Sequence, residues 1–271
     1  MYITNREDVA HVAEKAGVDR IFVDMEYIGK ADRQGGMDTV QSHHTVEDVK
    51  RLRKVVHDSE LLVRINPIHE ASDEFSSSEE EIDAVIAAGV DIIMLPFFKS
   101  AAEVSRFVRA VGGRVKTIAL LETPEAAACV DEILEVEDLD EIFIGLNDLS
   151  LGYGKKFMFE VLADGTVDRL CEKFRQSGIA YGFGGVAVPG KGALPAERII
   201  REHYRLGSSS VILSRSFCNT ALVSDIDEVR RIFTDGVAAI RTEEAECQRH
   251  LEFFAENRMK VEEAVRNIVG S

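Results

Sequence analysis

The sequence predicts a (β/α)8 TIM barrel with an additional C-terminal helix. Eight short, nearly continuous apolar runs recur along the chain, which is typical of parallel strands covered on both faces. Amphipathic segments separate them, and several end in glycine, a common helix stop signal, as at Gly17, Gly89 and Gly112. Eight matched βα units favour a closed barrel over the alternative, a doubly wound open sheet.

Each apolar run is predicted to be one strand of the barrel. The intervening segments REDVAHVAEKAG, TVEDVKRLRKVVHD, SEEEIDAVIAAG and SAAEVSRFVRAVGG carry apolar residues at helical spacing and are predicted to be helices. The strands are predicted at Tyr2–Thr4, Ile21–Asp24, Leu61–Ile65, Ile92–Pro96, Thr117–Leu121, Glu141–Ile144, Tyr181–Val186 and Ser210–Leu213.

The chain is predicted to comprise a barrel domain over residues 1–240 and a helical extension over residues 241–271. The apolar residues between Thr242 and Val269 form a broad stripe, which predicts one long helix. This helix would pack either on its own barrel or on a neighbouring subunit. The adjacent residues Phe253 and Phe254 favour the second arrangement, and therefore a homo-oligomer.

Composition limits the class of protein. A net charge of -16 makes nucleic acid and anionic membrane surfaces poor partners. The four cysteines form no CxxC pair, so neither a zinc knuckle nor a disulfide framework is indicated. No apolar run approaches the length of a membrane span. We therefore expect a soluble, reduced, cytoplasmic protein.

Two carboxylates follow neighbouring predicted strands. The chemistry of a TIM barrel lies at the carboxyl ends of its strands, where Glu122 ends the fifth run and Asp148 follows the sixth. Hard carboxylate ligands at one rim fit Mg²⁺ or Mn²⁺. Alone, Glu122 would be interpreted as a charge at a helix start and Asp148 as a turn or cap residue. Their shared register favours the metal site.

A second charged group follows the second and third runs. Asp24 and Glu26 are two residues apart in RIFVDMEY, so in a strand they point to the same side. Arg64, in LLVRINP, could pair with them structurally or bind an oxyanion. Both roles are compatible, because an arginine held by a carboxylate is preorganised. Asp24 and Glu26 are then expected to orient Arg64 and the water of the metal.

Five segments together resemble the HpcH/HpaI aldolase and citrate lyase family. They are AEKAGVDRIFVDMEY, LLVRINP, AGVDIIMLP, ALLETPEA and IFIGLNDLS, and the similarity runs in order from about residue 5 to about residue 220. Members of this family are metal-dependent TIM barrels that act on pyruvate or phosphoenolpyruvate. The resemblance is specific for the family and not for a substrate.

The resemblance implies a role for each matched position. Glu122 and Asp148 would bind the divalent metal, Mg²⁺ or Mn²⁺, and Arg64 would contact the ketoacid oxygen and stabilise an enolate. Backbone amides of the turn that contains Gly145 and Asn147 would hold the carboxylate of a pyruvate-like 2-oxoacid. The implied activity is a metal-dependent carbon–carbon lyase of the aldolase type. Its co-substrate would be an aldehyde or a phosphorylated compound.

The chain departs from the family pattern at two positions. Aldolases of the group have Asp-x-Glu-His at the second strand, where the aspartate and histidine handle a proton. This chain has DMEY, so Asp24 is retained and Tyr27 replaces the histidine; Leu120 replaces a usual glutamine. Tyrosine is a poor base at neutral pH because its unperturbed pKa is about 10. His44, in QSHHTVEDV, is a candidate acid or base, or else a surface or capping residue.

The loop segment GKADRQGG offers a further anion-binding candidate. Lys30 and Arg33 could bind a phosphate or a distal carboxylate, or could belong to an ordinary solvated loop. The first possibility supports an alternative function, a phosphoenolpyruvate- or acyl-utilising condensing enzyme. The missing histidine supports another alternative, a non-catalytic barrel that binds a ketoacid.

Overall fold

The computed structural model describes residues 1–29 and 42–270, so Lys30 and Arg33 lie outside the described residues. Eight parallel strands close into a barrel in sequence order, from β1 to β8 and back to β1. This confirms the predicted TIM barrel. The strands are β1 (Tyr2–Ile3), β2 (Arg20–Asp24), β3 (Glu60–Arg64), β4 (Ile92–Leu95), β5 (Lys116–Leu121), β6 (Glu141–Ile144), β7 (Ala180–Val186) and β8 (Ser210–Leu213).

Helices surround the barrel, and their ends carry the expected signals. Thr45 and Ser77 form capping boxes with Asp48 and Glu80, and Gly112 ends its helix in the left-handed conformation at φ 59°. Within the described residues, no helix is both long and apolar enough to cross a membrane. The helices are α1 (Glu7–Lys15), α2 (Val46–Leu52), α3 (Ser78–Ala87), α4 (Ala101–Val111), α5 (Pro124–Ala128), α6 (Val130–Leu134), α7 (Leu146–Gly152), α8 (Glu160–Ala163), α9 (Thr166–Ser177), α10 (Ala196–Leu206), α11 (Ile226–Arg249) and α12 (Phe253–Gly270).

The barrel interior is filled in layers by alternate residues of the strands. Successive side chains of a strand point to opposite faces, so every second residue enters the barrel. The middle layer is apolar and forms a cluster separate from the core between barrel and helices. Its members are Met1, Phe22, Leu62, Ile92, Met94, Ile118, Leu120 and Phe143.

The layer below, at the amino ends of the strands, is ionic. Arg20 donates to Glu60 at 3.0 Å and to Glu141 at 2.7 Å, and Lys116 pairs with Glu60. All four residues precede a member of the apolar layer by two positions, so strand alternation brings them to one level. The same alternation fixes which residues enter the opposite, carboxyl end.

The C-terminal region differs from the predicted single helix. It contains two helices, because α11 begins at Ile226 and ends at Arg249, and α12 begins only at Phe253. His250 leaves the helical conformation between them, and its ring stacks on Phe253 with 4.9 Å between ring centroids. The break was concealed because the apolar stripe crosses it without a glycine or proline.

Helix α12 packs on its own barrel through α10 and α8. Val261 and Val265 are buried on this face, and Asn257 donates through Nδ2 to Glu202 at 2.8 Å. Arg258 adds an ion pair with Asp168 on α9 at 2.8 Å. The contact with α10 and α8 therefore covers Val261 and Val265 of the apolar stripe, and a homo-oligomer remains a prediction from sequence.

We expect Val261→Ala to lower the free energy of unfolding by about 2 kcal/mol, because it removes buried methyl groups and leaves a cavity. Met259→Ala is the matched control, since Met259 lies on the same helix but is 63% exposed. It should change stability by less than about 0.5 kcal/mol. Urea unfolding of both variants measures the difference, and equal effects would show that α12 is not docked as described.

Candidate active site

Asp24 and Arg64 form an ion pair at the carboxyl end of the barrel. They are register partners on β2 and β3, and each lies two residues after a member of the apolar layer, so both side chains enter the barrel. Arg64 donates through Nε and one terminal nitrogen to the two Asp24 oxygens, both at 2.8 Å. The guanidinium also lies 5.6 Å from the ring centroid of Phe22 below it. Its orientation is thereby fixed on two sides.

Glu26 is the second carboxylate beside Arg64, with 3.4 Å between its Oε2 and Nε of the arginine. Burial alone would lower the pKa of Arg64, but the contacts with Asp24 and Glu26 raise that pKa above its ordinary value. The arginine therefore stays charged although its side chain is only 15% exposed. The sequence-based expectation of a preorganised Arg64 matches this geometry.

Glu122 occupies the next inward position above Leu120, one residue beyond the end of β5. It is 4% exposed, and its Oε1 accepts a hydrogen bond of 3.0 Å from the backbone amide of Phe97. The helix α5 that follows is capped by Thr123, whose hydroxyl accepts from Ala126. Glu122 is therefore not the cap of that helix, although it lies directly before the helix start, where a structural charge was considered from the sequence.

Space for Glu122 depends on Gly145. A Cβ atom on Gly145 would lie 2.6 Å from Oε2 and 2.8 Å from Cβ of Glu122, closer than real contacts allow. The amide of Gly145 donates to Leu121 O at 3.0 Å and so belongs to the sheet. Gly145 therefore leaves the room that Glu122 occupies, and its role in substrate binding stays a prediction from the sequence.

Asp148 lies in the first turn of α7 and is 9% exposed. Asn147 donates through Nδ2 to Asp148 Oδ1 at 3.1 Å, so the predicted carboxylate-binding neighbour orients Asp148. Gly145, not Asp148, is the N-cap residue of this helix. Asp148 is therefore not the N-cap residue of α7, and this answers the cap alternative that was considered for it beside a turn.

Glu26 and Asp148 act on Glu122 through their charges, while Asp24 pairs with Arg64. Burial, and then the charges of Glu26 and Asp148, raise the pKa of Glu122 well above its ordinary value, whereas Arg64 opposes this shift. Four carboxyl groups around one guanidinium leave an excess of negative charge when all are ionised. A bound cation would offset that charge.

The donor set fits a hard divalent ion with two protein ligands. Within residues 1–29 and 42–270, no group of three or more His, Cys, Asp and Glu side chains is arranged to hold a metal. Glu122 and Asp148 instead both line one cleft of about 500 Å³, together with Phe97, Lys99 and Leu151. Substrate and water oxygens in the cleft could supply the remaining positions, as Mg²⁺ and Mn²⁺ commonly require.

Tyr27 and His44, the two candidates for proton transfer, are both hydrogen-bonded to the backbone. Tyr27 donates its hydroxyl to the His44 carbonyl oxygen at 2.6 Å, and the Asp24 amide donates to His44 Nδ1 at 3.0 Å. Burial, followed by the charges of Asp24 and Asp48, raises the pKa of Tyr27 above its ordinary value. Even less of the tyrosinate form, which could act as a base, is therefore present at neutral pH.

Two residues that sequence reasoning did not identify support the site. Asn66 accepts from the amides of Tyr27 and Ile28 at 2.8 and 2.9 Å, and donates to Glu81 at 2.9 Å. The sequence did hold one signal for Asn66. It lies two residues after Arg64, and this spacing predicts that both side chains point to the same side of the chain. Phe97 has a positive φ of 48°, which no sequence pattern indicated for a phenylalanine.

Several solved structures share the fold of this chain. An HpcH/HpaI aldolase/citrate lyase family protein from Burkholderia cenocepacia J2315 has 17% identity and a TM-score of 0.61, with 85% of this chain and 94% of that chain covered. The HpcH/HpaI aldolase from Desulfitobacterium hafniense DCB-2 has 14% identity and a TM-score of 0.59, with 84% and 91% covered.

Citrate synthase SbnG has 16% identity and a TM-score of 0.60, with 85% of this chain and 92% of that chain covered. At such identities these structures establish the fold alone. A comparison with the curated proteins gives no significant match. Residues 2–187, well over half of the chain, match the sequence profile of the HpcH/HpaI aldolase/citrate lyase family. The protein therefore belongs to the HpcH/HpaI aldolase/citrate lyase family.

Proposed function

We propose that this protein is a divalent-metal-dependent carbon–carbon lyase that acts on a pyruvate-like 2-oxoacid. The observation that carries the proposal is the Arg64 guanidinium, held by both oxygens of Asp24 at the rim where Glu122 and Asp148 are also buried. Membership of a family of aldolases and citrate lyases supports the same class of reaction. The co-substrate would be an aldehyde or a phosphorylated compound.

Arg64 would stabilise negative charge on the keto oxygen of the substrate. Asp24 occupies Nε and Nη2, and the described residues form no hydrogen bond to Nη1. That nitrogen can donate to an oxygen that becomes an enolate when a bond to the neighbouring carbon breaks. Because the guanidinium is already oriented and partly desolvated, it needs little reorganisation as the charge develops.

Glu122 and Asp148 would hold the divalent ion, which when bound would act as a Lewis acid on the keto group. Phe97 and Asn147 orient these carboxylates through the hydrogen bonds described above. Asp24 and Glu26 would hold Arg64. Amides of the turn at Asn147 would position the substrate carboxylate, as the family resemblance implies.

Replacement of Arg64 should slow enolate formation without unfolding the protein. With Mg²⁺ or Mn²⁺ present, we expect Arg64→Lys to slow exchange of the pyruvate methyl protons in D₂O by about 10²- to 10³-fold, the usual effect of losing one oxyanion donor. Lysine keeps the charge but cannot span both Asp24 oxygens. The control is Arg109→Lys, at an exposed arginine on α4 that bonds only Ser105.

Proton exchange is followed by nuclear magnetic resonance of pyruvate. Unchanged exchange in Arg64→Lys would contradict the role of Arg64. Absence of exchange in the wild type with either ion would contradict the proposed function itself.

The raised pKa of Glu122 predicts a pH-dependent stability. A carboxyl group whose pKa is higher in the folded than in the unfolded state loses folding free energy as the pH rises through the interval between the two pKa values. In chelator, Glu122→Gln should therefore be more stable than wild type at pH 8, with the difference vanishing near pH 4. Mn²⁺ should then stabilise the wild type and not the variant.

Thermal unfolding at both pH values measures these differences. Glu125→Gln is the control, because Glu125 lines the same cleft but hydrogen bonds lower its pKa. A gain in stability at pH 8 in both variants would assign the effect to net charge instead of to the buried carboxyl.

A phosphoenolpyruvate- or acyl-utilising condensing enzyme is the second candidate. The engagement of Tyr27 and His44 with the backbone favours its phosphoenolpyruvate-utilising form. Phosphoenolpyruvate yields an enolate by transfer of its phosphoryl group to water, so no base has to remove a methyl proton. Lys30 and Arg33 would then bind the additional anionic group of phosphoenolpyruvate.

Competition separates the two candidates. If the second is correct, phosphoenolpyruvate should displace bound pyruvate. Arg33→Ala should then lower the affinity for phosphoenolpyruvate by about tenfold or more and leave the affinity for pyruvate unchanged. Isothermal titration calorimetry with Mg²⁺ measures both affinities. Equal losses for the two ligands would assign Arg33 to general anion attraction and would count against the condensing enzyme.

A further inference from the structure

The end of β2 extends beyond its neighbour β1. Strand β1 has only two residues, and its pairing with β2 ends at Ile3 opposite Phe22. The last backbone hydrogen bond between these two segments is donated by the Thr4 amide to Phe22 O, at 3.0 Å. The amide of Asp24 lies beyond this hydrogen bond, in the buried rim of the barrel, where an amide without an acceptor would cost free energy.

The ring of His44 supplies that acceptor. The Asp24 amide donates to His44 Nδ1 at 3.0 Å, so an imidazole nitrogen takes the place that a backbone carbonyl has elsewhere in the sheet. His44 is buried, with 8% of its surface exposed. It reaches β2 from the chain just before α2, which starts after the Thr45 cap. The imidazole therefore joins the start of α2 to the end of the strand that carries Asp24.

This hydrogen bond also determines the protonation of the ring. A nitrogen that accepts a hydrogen bond has no hydrogen of its own, so the neutral ring carries its proton on Nε2. Protonation of Nδ1 would place two N–H groups against each other and break the bond with Asp24. In this arrangement Nε2 already carries a hydrogen. Nδ1 can accept a proton only if its hydrogen bond with the Asp24 amide is broken.

Tyr27 secures the backbone of the same histidine. Its hydroxyl donates to the His44 carbonyl at 2.6 Å, while its own amide is held by Asn66 at 2.8 Å. The residue that replaces the usual histidine of the family is thus hydrogen-bonded to a histidine further along the chain. Asp24, between these contacts, presents both carboxylate oxygens to Arg64.

We propose that His44 is a positioning residue that holds the Asp24–Arg64 pair in place. Its Nδ1 accepts a hydrogen bond from the Asp24 amide, and its own carbonyl accepts one from the Tyr27 hydroxyl. Neither ring then moves a proton in the reaction. This role is the alternative to the acid–base role considered from the sequence for both residues. The inference rests on the proposed function for its catalytic readout, but its structural readouts are independent of it.

The test compares His44→Asn with His44→Leu. Asparagine Oδ1 can occupy the place of Nδ1 and accept the Asp24 amide, whereas leucine fills similar space without an acceptor. We expect His44→Asn to retain most of the pyruvate proton exchange, and His44→Leu to lose about 10- to 100-fold, because misplacement of an oriented group has effects of this size. The control is His11→Leu, at an exposed histidine on α1.

Two measurements do not require activity. Hydrogen exchange of the Asp24 amide should be slow in the wild type and His44→Asn, and faster in His44→Leu. The ¹⁵N shifts of the His44 ring should show a hydrogen on Nε2 and none on Nδ1 at neutral pH.

Three results would overturn the proposal. The first is loss of proton exchange in His44→Asn while the Asp24 amide stays protected, which would assign acid–base chemistry to the ring. The second is unchanged protection of the amide in His44→Leu. The third is a hydrogen on Nδ1 in the wild type. If the wild type exchanges no pyruvate protons, the proposed function fails, while amide protection and the ring shifts still decide the role of His44.

Discussion

Burial of four carboxyl groups at one end of the barrel is the constraint on which the site depends. Asp24, Glu26, Glu122 and Asp148 are all at most 9% exposed, so their charges must be balanced within the protein or by a ligand. Arg64 contacts the first two directly and offsets one of their two charges. Around Glu122 the balance is incomplete, and its pKa rises as a consequence. A site of this kind resists folding slightly and gains from binding a cation, which is a common compromise between stability and activity.

The interior of the barrel explains why this charge can be placed so deeply. The apolar layer below the rim excludes water from beneath Arg64 and Glu122, with Phe22 and Leu120 directly under them. Low polarity beneath the site strengthens each electrostatic interaction above it. Above Leu120, Glu122 accepts a hydrogen bond from the backbone amide of Phe97.

Much of this arrangement could be predicted from the sequence, because strand alternation is a local property. The apolar runs located the strands, and the spacing of two residues in Asp24 and Glu26 placed these side chains on one side. Glu122 and Asp148 followed from the rule that polar groups at strand ends meet at one rim. The turn of Phe97 toward Glu122 could not be predicted, since it depends on a positive φ in a bulky residue. Neither could the return of His44 to β2 or the helix break at His250, which are set by tertiary contacts that leave no periodic signal.

The shortness of β1 has a consequence for how this barrel can vary. In most of the sheet, strand pairing is made by backbone atoms, which every residue except proline provides. At the end of β2, the pairing is made by a side chain from a distant segment. A single substitution at position 44 can therefore alter the hydrogen bonding of the strand edge, although the strand itself keeps its sequence. The rim of such a barrel can therefore change through residues that do not line the cleft beside Glu122 and Asp148.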